Sequence, residues 1–322
     1  MNSADNPTLC GFLNVLKPPG MSSAQVVGYV RRLLDGAKTG HAGTLDPEAA
    51  GVLPLMVGKA TRLFDYMQEK EKAYVAEAAF GAATDTQDAQ GVVTERGDQY
   101  PDEARIREAL AGLTGKQMQR PPAYSAIKVD GRRLYDLARS GAAAVAGERE
   151  VTVYELSLRQ MMERHGALLY VRCSKGFYVR TLCHDLGQAL GCPAHLRFLL
   201  RTRSGVFTLE TARTLERLQA AAEAGTLKRE LLPPEAALGH LPGARVPADL
   251  ERTLRTGGRL PWRRFSDLHG TGAEAGTPAC LWMNGSLCAI GERRGDEIKV
   301  RTWLGESIGT TADGGERHAN DP

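Results

Sequence analysis

The sequence predicts an α+β chain in two parts, and three observations carry that expectation. Segments of helical and of strand period are mixed without regular βαβ alternation, which argues against a doubly wound sheet or an eightfold α/β barrel. The 322 residues are more than one small core takes up, so a large and a smaller domain are expected. Residues 232 to 247, LPPEAALGHLPGARVP, are dense in proline, glycine and alanine and mark the boundary between them.

After a polar leader, GFLNVLKPPGMSSAQVVGYVRRLLDG reads as a short strand, a proline turn and an amphipathic helix. Ser22 or Ser23 caps the helix, Val26, Val27, Val30, Leu33 and Leu34 form its apolar stripe, and Gly36 ends it. GHAGTLDPEAAGVLPL, residues 40 to 55, follows as a loop. ATRLFDYMQ then has helical period and KAYVAEAAF alternates as a strand. PDEARIREALAGLTG is a second helix, and RPPAYSAIKVDGRRLYDLARSG is a proline-led loop running into another. VTVYELSLRQ and GALLYVRCSK form a pair of strands, and FYVRTLCHDLGQALG returns to helical period. Beyond the boundary, short apolar runs split by glycines predict a small β barrel, and GTTADGGERHANDP predicts a disordered tail.

Lysine and arginine total 41 against 38 aspartate and glutamate, a formal charge of only +3. The cations are nonetheless clustered, as in KVDGRR and RTRSG, and local fields matter more than the total. Six cysteines are scattered without a CxxC pair, so neither a zinc site nor a disulfide framework is expected and a reducing compartment fits. No apolar run approaches the roughly 20 residues a membrane helix needs. A cytoplasmic protein is expected, with no membrane association.

The loop at residues 40 to 55 concentrates the chemistry. Asp46 precedes Pro47, and a residue before proline is driven out of the helical region, so its carboxylate is presented by a stiff extended segment. Gly40 and Gly43 permit positive φ or close approach of a flat ligand. On spacing alone, the same residues also describe an Asx turn in a surface loop.

Five ordered blocks change that balance: GFLNVLKPPGMSS, GHAGTLDPEAAGVLPL, KAYVAEAAFGAATDTQDAQG, RPPAYSAIKVDGRRLYDLARSG and CSKGFYVRTLCHDLGQALGCPAHLRFLLRTRSGVF. Together, over about residues 11 to 210, they closely resemble the bacterial tRNA pseudouridine-55 synthases, the TruB family. The resemblance implies a pseudouridine synthase fold: a mixed, largely antiparallel central sheet flanked by helices, the catalytic domain spanning 11–240. A much weaker likeness in GGRLPW and NGSLCAIGERRGDEIKVRTWL implies a PUA-like RNA-binding barrel over 245–310, with 311–322 as the tail. The implied activity is isomerisation of one uridine in the T loop of tRNA, position 55 in tRNA numbering. It needs no cofactor and no metal, and it takes the tRNA T arm as partner, with a monomer acting without an obligatory protein partner.

Residue by residue, Asp46 matches the family's catalytic aspartate. Whether it attacks ribose C1′, attacks C6 of the base, or assists elimination through a glycal stays open. Arg180 matches its cationic partner, and Tyr74 the tyrosine that stacks on the target base, with a share in proton transfer open to it. Tyr178 is implied as a pocket wall, and Leu199 or Leu200 as a wall of the uracil pocket. His41 matches the residue that fills the gap left by the flipped nucleotide; the family's usual GHTG is GHAG here, so no hydroxyl is present at Ala42. Lys17 is expected beside the site, supporting loop structure or touching phosphates. Lys128, Arg132, Arg133, Arg201 and Arg203 are expected to contact RNA phosphates, giving salt-dependent affinity. Cys183, His184 and Asp185 are adjacent on a helix, point in different directions and read as structural.

Two rival readings draw on the same residues. A tRNA-folding chaperone would keep annealing activity without Asp46. An aspartyl-phosphate hydrolase would need a second acidic Mg²⁺ ligand near Asp46, for which only Glu48 is available.

Overall fold

The computed structural model describes residues 9–67, 71–122, 124, 128–129, 132–133, 147–265 and 274–305. β1 (Cys10–Lys17) and α1 (Ser23–Leu33) stand where their patterns place them. Ser22 is the cap: its hydroxyl accepts from the Gln25 amide while the Gln25 side chain accepts from the Ser22 amide, which satisfies two otherwise orphaned donors. Val26, Val30 and Leu34 of the predicted stripe are buried, and Val27 and Leu33 are partly so. Gly36, at φ +82°, turns the chain away.

β2 (Thr39–His41) and β3 (Ala50–Gly58) bracket the loop of Asp46. β3 is apolar at successive positions because both its faces are covered. Leu53, Leu55 and Val57 enter the core under the helices, whereas Val52 and Met56 join Phe12 of β1 in a second cluster. The helical segment expected after β3 is a 3₁₀ run, Lys59–Tyr66. Its two buried residues, Ala60 and Leu63, lie three apart, which is the period of the tighter helix.

β4 (Lys72–Phe80) is followed by a two-stranded ladder of β5 (Ala82–Thr84) and β6 (Val93–Arg96), then α2 (Glu103–Gly112), capped by Asp102, and β7 (Gly115–Gln119). β8 (Lys128–Val129) and β9 (Arg132–Arg133) pair with each other, and the helix predicted after them lies outside the described residues. β10 (Arg149–Met162) and β11 (Gly166–Cys173) are the expected antiparallel pair. α3 (Val179–Leu190), β12 (Ala194–Ser204), β13 (Phe207–Thr208) and α4 (Leu215–Glu223) complete this part.

Nine strands make one sheet, ordered β1-β3-β12-β4-β11-β10-β7, with β2 added on β3 and β13 on β12. Every ladder is antiparallel except β3 with β12, whose register sets Gly51 against Arg201. Gly51 has φ +111°, and a Cβ there would overlap the Arg201 backbone, so only glycine lets the two strands meet beside the Asp46 loop. The mixed sheet with flanking helices agrees with the predicted class.

β14 (Gly243–Arg245), α5 (Glu251–Arg255), β15 (Leu260–Pro261), β16 (Pro278–Met283), β17 (Ser286–Arg294) and β18 (Glu297–Trp303) follow. The five strands form a sheet ordered β14-β16-β17-β18-β15. Asn284 and Gly285, both at positive φ, turn β16 into β17 as the Asn-Gly pair predicts for a two-residue hairpin. The outer strands β14 and β15 share no ladder among the described residues. Cys280, Leu287, Ile290 and Leu304 pack with Phe12, Val52, Met56 and Leu63, so an apolar layer shared by both sheets joins them. The predicted tail lies outside the described residues.

Candidate active site

The loop between β2 and β3 is held by three buried polar side chains from distant parts of the chain. Lys17, fully buried at the end of β1, donates its Nζ to the carbonyls of Pro18 and Pro47, each at 2.8 Å. Ser23 exchanges two 2.9 Å hydrogen bonds with the backbone of Leu45. Arg201 of β12, 2 % exposed, donates to the carbonyls of Val52 (2.7 Å), Thr44 (3.2 Å) and Gly43 (3.2 Å). The residues on both sides of Asp46 are thereby fixed, and Gly43, at φ +142°, supplies the one positive-φ position in the turn. Gly40 has no such role and lies in β2.

Asp46 projects from this braced turn with 43 % of its side chain exposed, while Arg180, in the first turn of α3, is 5 % exposed. Arg180 Nε lies 3.0 Å from Asp46 Oδ2, yet its N–H is not directed at that oxygen and makes no hydrogen bond. The contact is therefore ionic without being directional, and it leaves the carboxylate lone pairs uncommitted to Nε. The rest of the guanidinium is held from the other side: Nη1 donates to the Thr86 carbonyl at 3.2 Å and lies 3.6 Å from Asp88 Oδ2, and Nη2 donates to the Tyr124 carbonyl at 2.9 Å. Desolvation pushes the Asp46 pKa above its ordinary value; Arg180 opposes the rise, Asp88 adds to it, and Lys17 and Arg201 oppose it more weakly.

Tyr74 of β4 stands directly opposite Arg201 of β12, so both side chains share the face covered by the helices. Burial raises the phenol pKa to about 12 against a lowering by Arg201. The same register sets Leu199 against Ala76 on that face and Leu200 against Val75 on the other. Of the two leucines, Leu199 is thus the one beside Tyr74, and Leu200 is not. Tyr178 precedes α3 and is half-buried, with the Arg149 guanidinium 5.6 Å from its ring centroid. His41 ends β2 opposite Leu55; its Nδ1 is buried without a partner, and desolvation followed by Arg201 lowers its pKa.

One of the expected phosphate contacts needs correction. Arg201 does not reach phosphates: its charge is buried and its donors are taken by three backbone carbonyls. Lys17 has no exposed surface for substrate, so of its two expected roles the support of the loop is the one its geometry carries. Arg203 is exposed, with Nε donating to the Gly205 carbonyl. The side chains of Lys128, Arg132 and Arg133 lie outside the described residues. Cys183 is buried with its thiol pushed up to about 12, and His184 bonds Gln188 on its own helix, which fits the structural reading.

Two residues went unnoticed in the sequence. Asp88 completes an Asp46–Arg180–Asp88 charge row, and its Oδ1 accepts from Thr86 Oγ1 (2.7 Å) and the Gln90 amide (3.0 Å). The signal available was the acidic pattern DTQDAQG within a block already singled out. Gln119, 3 % exposed, accepts from the Tyr178 amide at 2.8 Å and donates to the Tyr178 carbonyl at 3.1 Å, so it fixes the start of α3 in place of a local cap. No local motif announces it.

The TruB family pseudouridylate synthase N-terminal domain matches residues 31–179, and the tRNA pseudouridylate synthase B C-terminal domain matches residues 180–239. A tRNA pseudouridine synthase B of Symbiobacterium thermophilum is 50% identical over 239 residues, 73% of this chain and 78% of that protein. The protein of the same name from Bacillus subtilis is 42% identical over 80% of this chain and 86% of its own. Among solved structures, an H/ACA RNP bound to a substrate RNA containing 2′-deoxyuridine superposes with TM-score 0.70 at 26% identity, over 92% of this chain and 86% of that one. A Cbf5-Nop10-Gar1 complex gives 0.68 at 28%, over 91% and 83%. The mixed sheet is therefore the pseudouridine synthase fold, and from residue 31 to residue 239 the match is continuous. On these grounds the chain belongs to the TruB family of pseudouridylate synthases.

Proposed function

We propose that this protein isomerises uridine 55 in the T loop of tRNA to pseudouridine, with Asp46 as the catalytic carboxylate. The reaction breaks the C1′–N1 bond, turns the uracil, joins C1′ to C5, loses the proton of C5 and leaves one on N1. Attack at C1′, attack at C6 and elimination through a glycal all start from an ionised carboxylate. The observation that carries the reading is Asp46 held 3.0 Å from buried Arg180 on a turn braced by Lys17, Ser23 and Arg201. Desolvation raises the proton affinity of the carboxylate, and the fixed cation opposes that rise and favours the ionised form.

Around that pair, Tyr74 offers its ring to the extruded base and Leu199 adds an apolar wall on the same face. With its hydroxyl raised to about 12, Tyr74 stays protonated at neutral pH and serves as a stacking surface or proton donor, not as a base. Tyr178 closes another side. His41, whose imidazole is kept neutral by burial, fills the stack vacated by the flipped nucleotide. Exposed Arg203 contributes to phosphate binding, as do Lys38, Lys59, Arg62 and Lys228, which line a cavity of about 580 Å³. The catalytic domain spans 11–240, and the C-terminal sheet acts as a PUA-like RNA-binding unit.

The test is tritium release from tRNA carrying [5-³H]uridine, followed by mapping of pseudouridine in total RNA from a deletion strain. Release that depends on Asp46, and loss of modification confined to the T loop, are expected. Release by Asp46→Asn at the unsubstituted rate overturns the reading.

A further inference from the structure

Arg180 can hold Asp46 only if its own guanidinium is fixed, and two of the groups that fix it come from a loop. Thr86 supplies a carbonyl to Nη1 and Asp88 a carboxylate 3.6 Å from the same nitrogen. Between them stands Gln87, at φ +60°. That left-handed conformation is the one glycine adopts freely and other residues adopt at a cost, so it persists only where the surroundings over-determine it.

The surroundings do so here from three directions. The Gln87 amide donates to the Thr84 carbonyl at 3.1 Å, and its carbonyl accepts from the Leu196 amide at 3.0 Å, beside an Asp88–Leu196 bridge to β12. Its side chain Oε1 accepts from Thr181 Oγ1 at 3.0 Å. Thr181 is 4 % exposed and follows Arg180 on α3. One hydrogen bond thus ties the residue between the two loop ligands to the residue next to the cation they hold.

We propose that Gln87 and Thr181 are a positioning pair that sets the register of residues 86 to 88 against α3, and through it the orientation of Arg180 toward Asp46. This rests on the reading of Asp46 as the catalytic carboxylate. Gln87 and Thr181 bond to Thr84, Leu196, Arg120 and each other, and both act on Asp46 through Arg180. The charged groups that bear on Asp46 are Arg180, Asp88, Lys17 and Arg201, and the pair adds no charge of its own. Any effect of its removal on the ionisation of Asp46 therefore comes from displacement of those groups.

The experiment compares Gln87→Gly, Thr181→Val, Thr181→Ser and the double variant Gln87→Gly/Thr181→Val. Glycine keeps the positive-φ backbone and deletes only the side chain, and serine keeps the hydroxyl. Three quantities are measured: single-turnover tritium release from [5-³H]uridine T-arm RNA, RNA affinity, and the titration midpoint of the Asp46 carboxyl carbon by ¹³C NMR in RNA-free protein. Gln87→Gly and Thr181→Val should each slow release by about tenfold or more with affinity little changed, since a misplaced positioning group costs rate before binding. Both should move the Asp46 midpoint to higher pH as the cation loosens. Thr181→Ser should behave as the unsubstituted protein, and the double variant should be no slower than the slower single one.

Unchanged rates and midpoints in both single variants, or losses that multiply in the double variant, overturn the pair. So does a loss expressed only in affinity. Should the unsubstituted protein release no tritium from any tRNA, the functional reading fails, while the midpoint in RNA-free protein still decides whether the pair positions Arg180.

Discussion

Lys17 reaches across thirty residues of chain to the carbonyl of Pro47, one position beyond the carboxylate of Asp46, with an Nζ to oxygen distance of 2.8 Å. A fully buried lysine is an expensive brace, and burial lowers its pKa to about 8. Its folded pKa lies below the ordinary lysine value of 10.5, so between about pH 8 and pH 10.5 the unfolded chain binds the extra proton and stability rises with pH. The difference is worth about 3 kcal/mol. The buried thiols of Cys173, Cys183 and Cys280, each raised to about 12, act with the opposite sign above pH 9. The contribution of Lys17 is therefore read as a difference: denaturant unfolding of Lys17→Met should lack the rise that the unsubstituted protein gains over this window. At neutral pH the variant removes the Lys17 bonds to the Pro18 and Pro47 carbonyls, of which Pro47 keeps the Gly20 amide, and turnover should fall with the loop's rigidity.

Asp46 should trade stability against function. Its folded pKa is raised, so the folded state holds the proton more tightly than the unfolded chain, and stability falls as pH rises from about 3.8 through the folded value. Asp46→Asn should therefore be at least as stable as the unsubstituted protein at pH 7 by calorimetry, while losing turnover. A clear drop in melting temperature contradicts the sign of this shift.

Arg180→Ala removes the main group that opposes that rise. The acid limb of the turnover profile should move to higher pH, and the rate at pH 7 should fall on the order of 10²- to 10³-fold, the scale seen for loss of one preorganised electrostatic partner. RNA affinity should change far less, because Arg180 is buried. A pH series of single-turnover rates checks both.

Tyr74→Phe separates the ring from the hydroxyl. The hydroxyl is buried with Arg201 acting on it, so its loss should change stability by no more than about 1.5 kcal/mol, the scale of one hydrogen bond. Turnover within about tenfold of the unsubstituted rate is expected if stacking is the main role of the ring. Denaturant melts and tritium release on the same preparation supply the comparison.

Gln119→Leu leaves the amide of Tyr178 unpaired, at a cost of about 1–3 kcal/mol, while the Tyr178 carbonyl keeps its bond from the Leu182 amide. Since Tyr178 begins the helix that carries Arg180, turnover should fall together with the melting temperature. Gln119→Glu keeps the acceptor and should retain part of both. Equal behaviour of the two variants removes the bond to the Tyr178 amide from the account.

Much of the architecture was legible because its signals are local. The stripe of α1, its Ser22 cap, the alternation of β4 and the Asn284–Gly285 turn all follow from residues within a few positions of one another. The helix after β3 is legible too, but not its 3₁₀ type, because a buried pair three residues apart fits both helical periods. The stiff presentation of Asp46 was also local, set by Pro47 and Gly43.

What the chain determined by itself, then, is which segments are strands and helices, and that one acidic residue sits in a constrained turn within five family blocks. What only the tertiary structure decided is which charges meet. Arg201 reads in sequence as one more cation of RTRSG, and only the β4–β12 register turns it inward, onto Tyr74 and the Asp46 loop. Asp88 and Arg180 are brought together across 92 residues, and Gln119 and Tyr178 across 59. The physical reason is one of range: secondary structure follows from steric and apolar periodicity among neighbours. Burying a charge depends on partners that the folded sheet alone brings within a few ångströms.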